Sequence, residues 1–345
     1  MILVIGAGAV GSFLGWTLAS GGEDVQLLRR GRAAGATTET LTIEGDPGPS
    51  GSVAVAVAGS PEAVQDAPDV ILVAVKMPDL AGAIATAGQW PDATILAVQN
   101  GVGADQLIDA QRPAGGLIAG SLTTSVERVS ERGVRRLSRG GIVMAAVRGE
   151  VAPAIARLLK AFNAGGLRAR VVADPEAMRW SKLLVNLMGN ASGAIVDLDP
   201  VAVYKDPDLF RLERRQLGEA LGVMSRLNLR PIKLFGADAR LLPLAGRLPG
   251  ALVQPIFTRV VASGRGGKRP SLHLHLAAAA GAPTEVEWLN GAVARAATKL
   301  GGRAPVNARL ATLVEACNQD PVRREWFRGR PDRLVEAITV VEPRA

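Results

Sequence analysis

Short, wholly apolar runs alternate with helical patterns through the first half of the chain, and helical patterns dominate the second half. Residues 1–5 (MILVI), 69–75 and 94–98 are runs of this kind, the last two after an opening Asp or Thr, and 24–28 (DVQLL) is a further stretch of strand length. Unbroken apolar stretches of strand length belong to parallel strands buried on both faces. Residues 40–45 and 52–57 instead alternate around the turn Asp46-Pro47-Gly48-Pro49, which predicts two paired strands with one solvated face. Residues 115–126 and 133–147 also read as strands, and Ala152 to Asn163 as a helix. Gly165-Gly166 and Asp174-Pro175 mark a domain boundary near 164–175. Helices are expected beyond it over 176–197, 207–230, 284–300 and 305–318, with an irregular excursion over 231–270, where Gly, Pro and Arg crowd together.

The first apolar run leads into Gly6-Ala7-Gly8-Ala9-Val10-Gly11 and then a helical pattern through Ser20. A glycine motif alone says little. Between a strand and a helix it marks a dinucleotide site: Gly6 allows the tight turn, Gly8 lets a pyrophosphate approach the backbone, and Gly11 lets helix and strand pack closely. The expected fold is therefore α/β, a Rossmann-like dinucleotide-binding domain over 1–168 followed by a mostly helical domain over 174–345. The strand at 24–28 ends in Arg29-Arg30, with no Asp or Glu to hold a ribose 2′-hydroxyl. Arginine suits a 2′-phosphate, so NADP(H) is expected over NAD(H). Lys76 and Asn100 follow the strands at 69–75 and 94–98, where open sheets of this kind bind ligands.

The segment from Met178 to Asp199 has a different character. Lys182, Asn186 and Asn190 recur every four residues among Leu183, Leu184, Val185, Leu187 and Met188. On a helix they would share one narrow polar face of one amine and two amides. Such a stripe is either a wetted helix edge or the lining of a cleft for a small polar ligand.

Composition narrows the partners. Hydrophobic residues make up 48% of the chain and aromatics 3%, so the cores are built from Ala, Leu and Val. The net charge is +8, but the arginines are scattered and aromatics for base stacking are scarce, which favours small anionic ligands over nucleic acid. One Cys and two His make a structural metal site improbable, and Cys317 has no internal disulfide partner. No apolar run reaches membrane-spanning length and no secretory pattern is present, so a cytoplasmic location without membrane attachment is expected.

GAGAVG at 6–11, VKMPDL at 75–80, VQNGVG at 98–103, WSKLLVNLMGN at 180–190 and PTEVEWLNG at 283–291 together resemble the ketopantoate reductases, in that family's order and spacing. The resemblance implies NADPH-dependent reduction of 2-dehydropantoate to pantoate, on the route to pantothenate and coenzyme A. It also implies Gly6, Gly8 and Gly11 at the nucleotide, Arg30 at the 2′-phosphate, and Lys76 and Asn100 near ribose, nicotinamide and substrate. Lys182 corresponds to the catalytic lysine, Asn186 and Asn190 to substrate-orienting amides, and Ser271 and Glu285 complete the pocket. The substrate would lie between the domains, with closure about 164–175 gating it, and a homodimer is one assembly the chain could form. Departures occur after Ser271: His275 stands at the family's Asp position, Ala282 replaces its Arg, and two extra residues intervene. They leave open a different 2-keto or hydroxy acid as substrate. A non-catalytic NADP-binding sensor is the remaining alternative, and Lys182, Asn186 and Glu285 argue against it because a pure binder needs no proton donor.

Overall fold

The computed structural model describes residues 1–29, 35–45, 48–264, 270–278 and 281–339, without the side chains of 245, 247 and 260–264 and of 278. It divides into two units, Met1–Gln99 with Gly103–Met178, and Asn100–Val102 with Arg179–Ala345. The first holds β1 (Ile2–Ile5), α1 (Ala9–Ser20), β2 (Val25–Leu28), β3 (Ala36–Glu44), β4 (Gly51–Ala58), β5 (Val70–Val73), α2 (Leu80–Ala87) and β6 (Thr94–Ala97). It continues with α3 (Ala104–Gln111), β7 (Leu117–Leu122), β8 (Val126–Arg128), β9 (Gly133–Arg136), β10 (Ile142–Arg148), α4 (Ala152–Ala164) and β11 (Ala169–Val171).

The strands form one sheet in the order β11-β10-β7-β6-β5-β1-β2-β4-β3-β9-β8. β1 lies parallel to both β2 and β5, with Ile2 opposite Val25 and Val70. The chain moves from β1 to opposite sides of the sheet, so the glycine turn after β1 opens at a topological switch point. β1 and β5 are buried at every position, as continuous apolar runs require, and β2 is buried throughout as well, Gln26 included. In β3, Glu39, Leu41 and Ile43 face inward and the intervening residues outward, which is the period-two signature. The runs expected at 115–126 and 133–147 are each broken in two. Gly140, at φ +22°, lies in the second gap, against the backbone of Thr124 in the first, so that no side chain would fit there. β11 is hydrogen-bonded to β10, so the sheet extends through Val171.

The helical part begins with α5 (Pro175–Leu187), α6 (Ala191–Val196), α7 (Pro200–Lys205) and α8 (Pro207–Arg226), then the hairpin β12 (Lys233–Leu234) and β13 (Ala237–Asp238). It ends with α9 (Leu242–Arg247), α10 (Gly250–Gly264), α11 (Ser271–Ala278), α12 (Asn290–Lys299), α13 (Pro305–Gln319), α14 (Pro321–Phe327) and α15 (Pro331–Thr339). Asp-Pro pairs start several of these helices. Asp199, Asp206 and Asp320 each accept two backbone N–H bonds from the first turn that follows, at 2.8–3.2 Å. Asp174 accepts one from Ala177 at 2.8 Å. Proline at the first helical position forgoes only an N–H that lacks a helical partner anyway.

The stretch 231–270, expected to be irregular, contains α9 and α10 instead. Glycine and proline hid the periodicity, and packing overrides them: Phe257 of α10 stacks on Tyr204 at 5.8 Å between centroids, with Phe210 edge-on to both. Among the described residues, no helix is long and apolar enough to cross a membrane.

Candidate functional site

The expected site residues fall into two groups, one in each unit. In the first unit, Gly6 adopts φ +104°, and a Cβ there would lie 2.7 Å from the Val75 nitrogen. A Cβ on Gly11 would lie 1.9 Å from the Gly6 carbonyl oxygen, so the turn closes only with glycine at both places. A Cβ on Gly8 would meet nothing within 4 Å. Gly8 is also the N-cap of α1, which has no capping side chain and no acid in its first turn. Open space in front of uncapped helical N–H groups fits an anionic pyrophosphate, so the cradle suits a dinucleotide.

Lys76 is exposed, two residues beyond Ala74, whose N–H is bonded to the Ile5 carbonyl. Gln99, 5% exposed, donates to the carbonyls of Val73 and Val75 and so ties the exit of β6 to that of β5. Arg29 turns away from solvent: it is 8% exposed and bonded to Glu39 at 2.7 Å. Arg30, expected at the 2′-phosphate, lies outside the described residues.

In the second unit, Lys182 and Asn186 are half-buried on α5, one turn apart, while Leu183, Leu184 and Leu187 are fully buried beneath them. Asn186 Nδ2 donates to Asn100 Oδ1 at 3.3 Å. The Asn100–Val102 excursion reaches this position because Gly101 sits where a Cβ would come within 2.3 Å of the Trp288 carbonyl oxygen. That same oxygen accepts the Val102 N–H at 3.0 Å. Trp288 closes the short turn begun by half-buried Glu285, whose carbonyl accepts the Trp288 N–H at 3.0 Å. Thr284 anchors the turn by donating to Glu315 and accepting from the Val286 N–H. One side-chain hydrogen bond and the backbone contacts at Trp288 thus join Asn100, Asn186 and the Glu285 turn.

Asn190 does not continue the Lys182–Asn186 stripe, contrary to the four-residue spacing. α5 ends at Leu187, Gly189 takes φ +58°, and Asn190 begins a new helix. A left-handed residue ends the helical phase, so spacing across it no longer defines a face. Asn190 is 3% exposed and its Oδ1 accepts the Leu272 N–H at 3.2 Å, in the first turn of α11. Ser271, the first residue of that helix, is exposed. His275 donates to the Ala282 carbonyl at 2.9 Å, an oxygen it shares with the Asn318 amide. His275 thus ties α11 to the residues just before Thr284.

Spacing missed Glu213 of α8. It is fully buried and accepts from Gly189 N–H at 2.7 Å, Ser192 Oγ at 2.5 Å and Tyr204 OH at 2.9 Å. Burial pushes its carboxyl above the ordinary range, opposed by these hydrogen bonds. Gln216, one turn on, donates to the Leu187 carbonyl at 3.3 Å. These two side chains fasten both ends of the break between α5 and α6. The sequence carried a signal: Glu213 lies four residues from both Leu209 and Leu217, on the apolar face of its helix.

A glycine turn at the switch point of a parallel sheet, in a chain that also carries a lysine, paired amides and a carboxylate on a helical unit, defines an oxidoreductase that uses a nicotinamide dinucleotide. The chain belongs to the ketopantoate reductase family: residues 2–149 match the family described as ketopantoate reductase PanE/ApbA, and 174–318 its C-terminal counterpart. It is 31% identical to the 2-dehydropantoate 2-reductase of Halobacterium salinarum, over 92% of this chain and 99% of that one. A PanE/ApbA family ketopantoate reductase from Ralstonia eutropha JMP134 superposes with TM-score 0.74 at 25% identity, covering 92% and 98% of the two chains. D-mandelate dehydrogenase, solved with NADH and anilino(oxo)acetate, shares the fold, with TM-score 0.73 at 19% identity and coverage of 92% and 98%. The family is one of NAD(P)-dependent reductases.

Proposed function

We propose that the protein reduces 2-dehydropantoate to pantoate with NADPH, the step that feeds pantothenate and coenzyme A synthesis. The observation that carries this reading is the Asn186–Asn100 hydrogen bond, with Lys182 one turn away on the same helix. The bond orients two amides beside a half-buried ammonium, an arrangement suited to a small keto acid. Bound NADPH supplies the hydride for the keto carbon. The Lys182 ammonium hydrogen-bonds the keto oxygen, stabilises the charge that develops there and delivers its proton, to be restored from water. Asn186 and Asn100 fix the substrate's orientation, Glu285 accepts from its hydroxyl, and Ser271 contributes a hydroxyl from the start of α11. Asn190 holds that start in place through Leu272.

Glu285→Ala is expected to raise KM for ketopantoate roughly tenfold or more, the cost of leaving a substrate hydroxyl without its acceptor. NADPH affinity should remain near normal, as measured by fluorescence titration. Equal losses for substrate and cofactor would remove Glu285 from the substrate site.

NADPH should bind at least about tenfold more tightly than NADH, through charge-assisted bonds to the 2′-phosphate. Glu39, inward-facing on β3, supports this: it is 3% exposed and paired with Arg29 and Arg132, so it is not presented to a ribose hydroxyl. Arg30→Ala should weaken NADPH and leave NADH almost unchanged, and the difference should shrink with added salt. Equal losses for the two cofactors would contradict the assignment.

A further inference from the structure

The glycine turn has a neighbour that its own motif does not explain. β3, β9 and β8, the far edge of the sheet, pack against α1. The β8–β9 connection is tight, with the Val129 N–H bonded to the Gly133 carbonyl at 3.0 Å, and it carries Arg128 at its start. Arg128 is exposed, and its Nη2 donates to the Ala7 carbonyl at 3.1 Å and to the Glu131 carbonyl at 3.1 Å. Ala7 is the residue between Gly6 and Gly8. A guanidinium from 121 positions along the chain is therefore seated on the nucleotide turn.

The charges around it are arranged unevenly. Glu39 is bonded to Arg29 at 2.7 Å and approached by Arg132 at 3.4 Å, and the Glu131 carboxylate lies 3.8 Å from Arg29. Both bonds of Arg128, by contrast, go to backbone carbonyls and use Nη2. Carbonyls orient a guanidinium without neutralising it, and its other N–H groups remain suited to a phosphate. The position is informative as well. Through Ala7 the hairpin touches the turn after β1, and through the Glu131–Arg29 pair it touches the exit of β2. In a dinucleotide fold, the exit of the second strand is where the 2′-position of the adenosine ribose is read. The pyrophosphate is served separately, by the helix N–H groups behind Gly8.

We propose that Arg128 is a specificity-determining residue that binds the adenosine 2′-phosphate of NADP(H), reaching it from the β8–β9 hairpin. The assignment rests on the NADPH reading above. It places a cation for the 2′-phosphate on the β8–β9 hairpin, an element that neither the glycine motif nor β2 includes.

The test uses the full chain and four probes: NADPH, NADH, adenosine 2′,5′-bisphosphate and AMP. Arg128→Gln should weaken NADPH and the bisphosphate by about fivefold or more, the loss of a charge-assisted contact. NADH and AMP should change less than about twofold, since neither carries a 2′-phosphate. Arg128→Lys, which keeps the charge but loses the planar fork, should recover part of the loss. Equal weakening of all four ligands would show that Arg128 clamps the glycine turn or serves the pyrophosphate, and would overturn the proposal, as would no weakening. A wild type that prefers NADH would overturn the cofactor reading itself. A wild type that prefers NADPH, with Arg128→Gln unchanged, would overturn only the role of Arg128.

Discussion

Lys182→Ala is expected to lower kcat by about 10²–10⁴-fold, the range for removing a positioned acid. The interaction between ammonium and keto oxygen strengthens as that oxygen gains charge, so its loss should appear in kcat rather than in KM. The fold should survive. Leu183, Leu184 and Leu187 hold α5 in the core, whereas Lys182 is only half-buried, so truncation empties no apolar pocket. NADPH affinity should be near normal. Lys182→Arg should be almost as damaging, because guanidinium is bulkier and gives up its proton far less readily. If Lys182 were merely the wetted edge of a helix, both variants would turn over at rates close to wild type. A kcat within about threefold of wild type for Lys182→Ala would exclude it as the proton donor.

The second large effect is expected at Glu213, through stability. Glu213→Ala removes the acceptor of the Gly189 N–H and of the Ser192 and Tyr204 hydroxyls, all buried, and leaves a void. Each orphaned buried group costs about 1–3 kcal/mol. A total loss of about 3–5 kcal/mol by urea unfolding is expected, allowing for relaxation of the hydroxyls. Because Gly189 ends α5, activity should fall as well. Glu213→Gln keeps the shape, and the hydroxyls can rotate to accept from its amide, so it should be much milder.

The pH dependence separates wild type from Glu213→Gln further. Burial raises the Glu213 carboxyl above its ordinary value of 4.5. Between that value and the raised folded one, the native protein holds a proton that the unfolded chain has released. Wild-type stability should therefore fall as pH rises from about 4.5 through this window, with the loss complete above the folded value. Glu213→Gln lacks the titration, so its stability relative to wild type should improve over the same range. Parallel profiles for the two proteins would show that folding leaves the Glu213 carboxyl unshifted.

Much of the architecture was legible because its causes are local. The runs MILVI and DVILVAV have the composition of strands buried on both faces, and the glycine positions follow from steric limits at Gly6 and Gly11. The Asp-Pro helix starts are also local chemistry, and Asp174-Pro175, which marks the domain boundary, is one of them. Departures occurred where distant contacts decide. Phe257 packing on Tyr204 makes a helix of a stretch that reads as irregular. Gly189 and Glu213 break the 176–197 helix at the place where a regular repeat would carry it through, and so take Asn190 out of register with Lys182. Lys182 and Asn186 stand out in the sequence as an amine and an amide among apolar residues, Asn100 by its place after a strand, and Glu285 only through the family resemblance. That Asn100 pairs with Asn186 depends on Gly101 passing the Trp288 carbonyl, a contact no local pattern encodes.

The substrate assignment is tested most directly by steady-state turnover of NADPH with four keto acids. Ketopantoate, 2-ketoisovalerate and pyruvate vary the group opposite the carboxylate, and benzoylformate represents the aromatic class. 2-Ketoisovalerate lacks the hydroxyl that Glu285 is assigned to bind. The expected order places ketopantoate first in kcat/KM, with 2-ketoisovalerate at least about 10²-fold lower because it lacks the hydroxyl that the site is built to hydrogen-bond. In Glu285→Ala the gap between these two should largely close, while Lys182→Ala should slow both alike. Equal kcat/KM for ketopantoate and 2-ketoisovalerate in the wild type, a preference for benzoylformate, or no oxidation of NADPH with any of the four would contradict the account.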